Sequence, residues 1–217
     1  AADIDFGEDM NTVGKVANSG SYQIYLYMLN GRRIGLGIDL SAEAGMSISG
    51  NEMYGFASKV VNIGGSSHGG IIVAALAETQ TMNTERFVLI ATSTSNGTVT
   101  FQDGTSNFRV LDVIAYKGIT VAVPGTEGVK TTYFTGTLTM TVQGTEAQGA
   151  FGIVFAKGAR LNSATKLTLT SASGARADTT LYLNAGSGIQ IDIDLNVTSS
   201  GGDINVVSVF QKGRKGE

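Results

Sequence analysis

Ile189–Val197 reads Ile-Gln-Ile-Asp-Ile-Asp-Leu-Asn-Val, the cleanest alternation of apolar and polar residues in the chain. Successive side chains of a β-strand point to opposite faces. One extended strand here therefore places Ile189, Ile191, Ile193, Leu195 and Val197 on a core face. Gln190, Asp192, Asp194 and Asn196 then lie on a solvent face. The same period recurs in Thr137–Val142 (Thr-Leu-Thr-Met-Thr-Val) and Lys166–Thr170 (Lys-Leu-Thr-Leu-Thr). Ser21–Leu29 is a β-branched and aromatic run of mixed face. Further strand candidates are Arg33–Leu40, Phe56–Ile63, Gly70–Leu76, Arg86–Thr92, Thr98–Gln102, Asn107–Tyr116, Thr120–Val123, Thr131–Thr135, Phe151–Ala156, Thr179–Leu183 and Asp203–Gln211.

Between these runs stand Asn30-Gly31, Asn96-Gly97, Asp103-Gly104 and Gly201-Gly202, which read as hairpin and loop signals. Ser41–Met46 and Ala74–Met82 hold helix-forming residues, but neither is read as a helix. The expected fold is all-β: an antiparallel β-sandwich, jelly-roll-like, with two related β modules as the alternative. That alternative rests on an echo. Residues 70–97 run through strand, polar turn, strand and a Ser/Thr-Gly ending, and residues 149–174 repeat the order. The only proline, Pro124, sits beside Gly125 near the implied boundary. The expected division is an N-terminal arm over 1–20, a β module over 21–118 and a second over 119–217, with a single larger β domain as the alternative.

Composition narrows the function classes. Of 217 residues 42% are hydrophobic, enough to bury a core, but only 15% are charged, against roughly 25% in ordinary globular proteins. The surface must then be largely Ser, Thr, Asn, Gln and Gly. Such a surface suits burial against neighbours. There is no Cys, so no disulfide scaffold and no thiolate chemistry. A net charge of −3 speaks against nucleic acid as a partner. No apolar run reaches the roughly 18 residues of a membrane helix. The acidic N-terminus lacks signal-peptide features, and Ala1 is consistent with loss of an initiator Met.

Candidate chemistry is sparse. His68, the single histidine, lies in Gly64-Gly65-Ser66-Ser67-His68-Gly69-Gly70 and reads as a flexible loop residue, since neighbouring Ser67 and His68 side chains point apart. The phosphate-loop pattern fails because no Lys follows these glycines, and Gly35-Leu36-Gly37 continues as strand instead of opening a helix. Asp192 and Asp194 could serve a glycosidase or hold Ca²⁺, but the Ca²⁺-loop spacing is absent and a solvated face explains them. Asn96-Gly97-Thr98 and Asn196-Val197-Thr198 match the glycosylation pattern and carry no weight alone. No catalytic, cofactor-binding or metal-ligating residue is assigned, and no enzymatic activity is expected.

The termini differ in sign. Asp3, Asp5, Glu8 and Asp9 stand at one end, and Lys212, Arg214 and Lys215 at the other. Ile4, Phe6, Met10 and Val13 are apolar groups that a purely solvated tail would not need. The expectation is an assembly arm that docks on a neighbouring subunit, acidic segment against the basic cluster.

No Cys, one Pro, many Gly, Thr and Ser, few charges and successive strands together resemble the virion structural proteins of tailed bacteriophages. That resemblance implies a homo-oligomer that joins a capsid or tail protein in a virion. Its form would be a capsid decoration (cement) or accessory shell protein, or alternatively a tail-tube subunit. A different class is a carbohydrate-binding or adhesive module at a fibre tip or cell surface, with Tyr22, Tyr25, Tyr27 and Tyr54 replacing the absent Trp as sugar platforms.

Overall fold

The computed structural model describes residues 16–17, 23–26, 31–40, 45–102, 104, 106–121, 132–134, 136–155, 160–163, 165–173, 175–177, 181–185, 188–192, 195–197 and 204–208. The chain winds into stacked coils. After β1 (Val16–Ala17), the first coil holds β2 (Gln23–Leu26) and β3 (Arg33–Leu36), followed by β4 (Gly45–Ile48), α1 (Gly50–Gly55) and β5 (Phe56–Ala57). The second holds β6 (Val60–Gly65), β7 (Ile71–Val73) and α2 (Glu78–Thr81), and the third β8 (Arg86–Ala91) and β9 (Thr98–Phe101). The fourth holds β10 (Val110–Ala115), β11 (Gly118–Val121) and β12 (Thr132–Phe134). The fifth holds β13 (Thr137–Val142), β14 (Gly152–Phe155) and β15 (Arg160–Ser163). Next come β16 (Lys166–Ser171), β17 (Ala175–Ala177) and β18 (Leu181–Ala185), then β19 (Gly188–Asp192), β20 (Leu195–Val197) and β21 (Ile204–Ser208).

Successive coils place their strands side by side in three walls. The first wall has seven strands in the order β19-β16-β13-β10-β8-β6-β2, the second has eight, β20-β17-β14-β11-β9-β7-β3-β4, and the third has four, β12-β15-β18-β21. The pairings in all three walls are parallel. This overturns the expectation of an antiparallel sandwich or jelly roll. Parallel neighbours need a long crossover, and here the crossover is the rest of the coil. Between coils it spans from 20 residues (Thr98 to Gly118) to 37 (Gln23 to Val60), and only β4, paired to β3 within the first coil, follows its neighbour more closely, Arg33 to Gly45. In a doubly wound α/β fold helices would make those crossovers. Among the described residues the α-helices are α1, of six residues, and α2, of four, neither long enough to make such a crossover. The architecture is a parallel β-solenoid.

The expected pair of modules does not appear as a break. β10 pairs with β13, and β11 pairs with both β9 and β14, so two walls run on across residue 118. The echo has another origin. Ile71 aligns with Val99, Val99 with Ile119 and Ile119 with Ile153, so the two stretches are coils of one stack, three coils apart.

The interior is built from rows of like residues. On the first wall Val61, Phe87, Leu111, Leu138 and Leu167 stack in register, as do Ile63, Leu89, Val113, Met140 and Leu169, all fully buried. On the second wall Ile34, Ile71, Val99, Ile119 and Ile153 do the same. Period-two alternation turns one face of every strand inward, and burying each such side chain contributes roughly 1.5–3 kcal/mol before ordering costs. Phe108 closes the third side of an early coil and meets Phe87 edge-on, with ring centroids 5.4 Å apart.

The opening stretch is two strands, not one. Gly188–Asp192 joins the first wall beside β16, and Leu195–Val197 joins the second beside β17. In the register Ile189 aligns with Leu167 and Ile191 with Leu169. Two helices also correct the reading. α2 lies inside Ala74–Met82. α1 begins at a capping box in which the Glu52 N–H donates to Ser49 Oγ and the Ser49 N–H donates to Glu52 Oε2 at 2.5 Å.

Candidate functional site

A surface hollow among the described residues crosses the outer face of the second wall. Arg33, Gly70, Thr98, Gly118 and Gly152 align across five strands at an outward position, one residue before the inward row that starts at Ile34. Three of these five have no side chain. The row beside it holds Ile72, Thr100 and Thr120. The groove, of ≈ 540 Å³, takes Arg33, Gly70 and Thr98 from the first row and Ile72 and Thr100 from the second, with Ser95, Asn96 and Gln102 also in its lining.

One end of the groove is a stacked corner. The Lys117 N–H donates to the Gly97 carbonyl at 2.8 Å, and the Phe151 N–H donates to the Lys117 carbonyl at 2.8 Å. The 3₁₀ turn Glu146–Gln148 closes on Gly149, at φ 73°, and delivers Phe151 to that corner. The Phe151 ring lies over Gly118, where an added Cβ would sit 2.3 Å from the ring. Phe151 is 43% exposed, whereas Phe56, Phe87, Phe101, Phe108 and Phe155 are buried. Lys117 donates from Nζ to the Gln148 carbonyl at 2.5 Å and stands 5.9 Å from the Tyr116 ring centroid. Exposed Arg33 marks the opposite end. Among the described residues that line the groove there are two cations and no carboxylate.

A second hollow, on the outer face of the first wall, contrasts with it. Lys59, Glu85, Arg86, Asp112, Thr137 and Thr139 line it. Its charges are matched: Arg86 donates from Nε to Asp112 Oδ2 at 2.5 Å and pairs with the same oxygen through its terminal nitrogen.

His68 is not a flexible loop residue. It is 1% exposed and bridges two coils. The Gly70 N–H donates to Nδ1 at 3.1 Å, which leaves Nε2–H to donate to the Ile90 carbonyl at 2.6 Å. Gly64, at φ 100°, makes room, since a Cβ there would sit 2.6 Å from Nε2 and 2.1 Å from the Ile90 oxygen. The imidazole is a structural rivet, with both ring nitrogens occupied.

The remaining sequence candidates scatter. Asp192 ends β19, aligned with Thr170, and Asp194 lies outside the described residues. Ile4, Phe6, Met10, Val13, Lys212, Arg214 and Lys215 of the expected arm also lie outside them. So do Tyr22 and Tyr27. Tyr25 is 63% exposed, on the strand at the edge of the first wall. Tyr54 sits on α1, where its carbonyl accepts from Asn83. Neither tyrosine lines the second-wall groove. Its aromatic group, Phe151, went unnoticed because it stands beside an apolar run and read as part of a core strand. Compared with known proteins, the chain matches no family model, no curated protein and no solved structure.

Proposed function

We propose that this chain is a non-catalytic structural protein of a virion of the tailed-bacteriophage kind, acting by rigid shape and by association with copies of itself and with a capsid or tail protein. The observation that carries this reading is the continuous parallel stack. A solenoid adds length coil by coil along one axis, and each coil is held by its neighbours. Its outer faces bear half-buried, uncharged side chains such as Thr137, Thr139, Thr141, Thr168 and Thr170. Hydroxyls cost less to bring against a neighbour than charges do. Among virion roles, one-dimensional growth favours a fibre or spike segment over a capsid decoration protein or a tail-tube subunit. An adhesive module on an extracellular surface is the second reading, favoured by the groove with its exposed Phe151.

The test is light scattering on the purified chain together with immunogold electron microscopy on the native source. A trimer or larger oligomer, with label on a projecting part of a particle, is the expected result. A monomer with label away from any particle would end the virion reading.

A further inference from the structure

We propose that the second-wall groove binds a linear acidic glycan, laid along the solenoid axis across the strands. This site stands on the groove itself and not on the assembly role proposed above. Shape comes first. The lining runs from Arg33 through Gly70, Thr98 and Lys117 to Phe151, one position on each of five successive coils. Four strand spacings of about 4.8 Å make it roughly 19 Å long. That is room for several sugar rings end to end, and the open, shallow form suits a chain better than a compact ligand.

Chemistry narrows the class. The floor and walls present the hydroxyls of Ser95, Thr98 and Thr100 and the amides of Asn96 and Gln102, groups that both donate and accept. Sugar hydroxyls need that dual capacity. Phe151 offers one exposed ring face held on Gly118, a surface for the C–H face of a pyranose. Arg33 and Lys117 then select for negative charge, since no described carboxylate in the lining opposes them. The alternatives fit less well. A β-strand peptide needs a free sheet edge, whereas β7, β9 and β11 are each paired on both sides. Nucleic acid draws its affinity from many neutralised phosphates, and two cations on a chain of net charge −3 supply few.

Binding of tetragalacturonate to the full chain, measured by isothermal titration calorimetry, tests the site. The fully methyl-esterified tetramer serves as its uncharged counterpart and an octathymidylate as the nucleic-acid control. The acid tetramer should bind at least tenfold more tightly than the ester, and the oligonucleotide more weakly than either. Phe151→Ala should weaken binding of the acid by tenfold or more, and Phe151→Tyr should restore most of it. Arg33→Gln should weaken the acid three- to tenfold and leave the ester unchanged. Gly118→Ala, which places a methyl group where the ring lies, should weaken both ligands while the thermal unfolding midpoint stays within a few degrees. Failure of the acid tetramer to bind at millimolar concentration overturns the proposal. So does equal binding of acid and ester, preference for the oligonucleotide, or indifference to Phe151→Ala in a protein that still unfolds cooperatively.

Discussion

The inner and outer rows of the first wall come from the same strands, yet they are made of different material. Inward, Val61, Phe87, Leu111, Leu138 and Leu167 form an unbroken apolar column. One residue along and facing out, Asn62, Val88, Asp112, Thr139 and Thr168 form a mixed column of amide, apolar, carboxylate and hydroxyl groups. The inner column is fixed by the need to fill a close-packed interior at every level. The outer one is free to vary, and that freedom is what allows one wall to carry a self-neutralised hollow and its neighbour an unopposed cationic one. Stability and recognition are thus separated by a single residue step along each strand.

The sharpest way to break this contrast is Leu111→Asp. It would set an unpaired carboxylate between Phe87 and Leu138 and should cost several kcal/mol, enough to abolish the cooperative transition in urea. The milder Leu111→Ala should cost about 2–5 kcal/mol through the cavity it leaves. A polar group on the inside tests the boundary from the other direction. His68→Ala strips partners from the Gly70 N–H and the Ile90 carbonyl and should cost about 1–3 kcal/mol in the same measurement. A loss below about 0.5 kcal/mol would mean that water replaces the ring and that the rivet is dispensable. At the small end, Thr139→Ala on the outer column should change stability by less than about 0.5 kcal/mol. A larger loss would show that the outer rows also hold the stack together.

Much of the local structure was legible. Thr137–Val142 is a strand end to end, and most other candidates overlap strands within a few residues, because alternation is a property of neighbouring residues. The partner of each strand was not legible. Asn96-Gly97 reads equally as a hairpin turn and as a corner, and here it carries the chain from β8 in one wall to β9 in the next. The decisive signal was the echo between residues 70–97 and 149–174. Taken as a duplication it suggested modules, while a coil as short as 20 residues was the true repeat. Ser49-Gly50-Asn51-Glu52 was a readable capping box that went unused. The groove could not be read at all. Arg33, Gly70, Thr98, Lys117 and Phe151 are scattered along the chain, and they line one hollow only once the register brings their coils together. His68 was misread for a similar reason, since one of its two partners lies 22 residues away.

The register has a consequence for how the chain acquires its shape. Among the described residues no wall pairing reaches further along the sequence than 37 residues, so closing each of these pairings costs only the entropy of one coil-sized loop. A nascent chain can therefore fold by accretion, each coil adding to the face left by the one before while later residues are still being made. The slow step is the first pair of coils, which has no template. Every later coil has one ready, and the rate of ordering should depend little on how many coils follow.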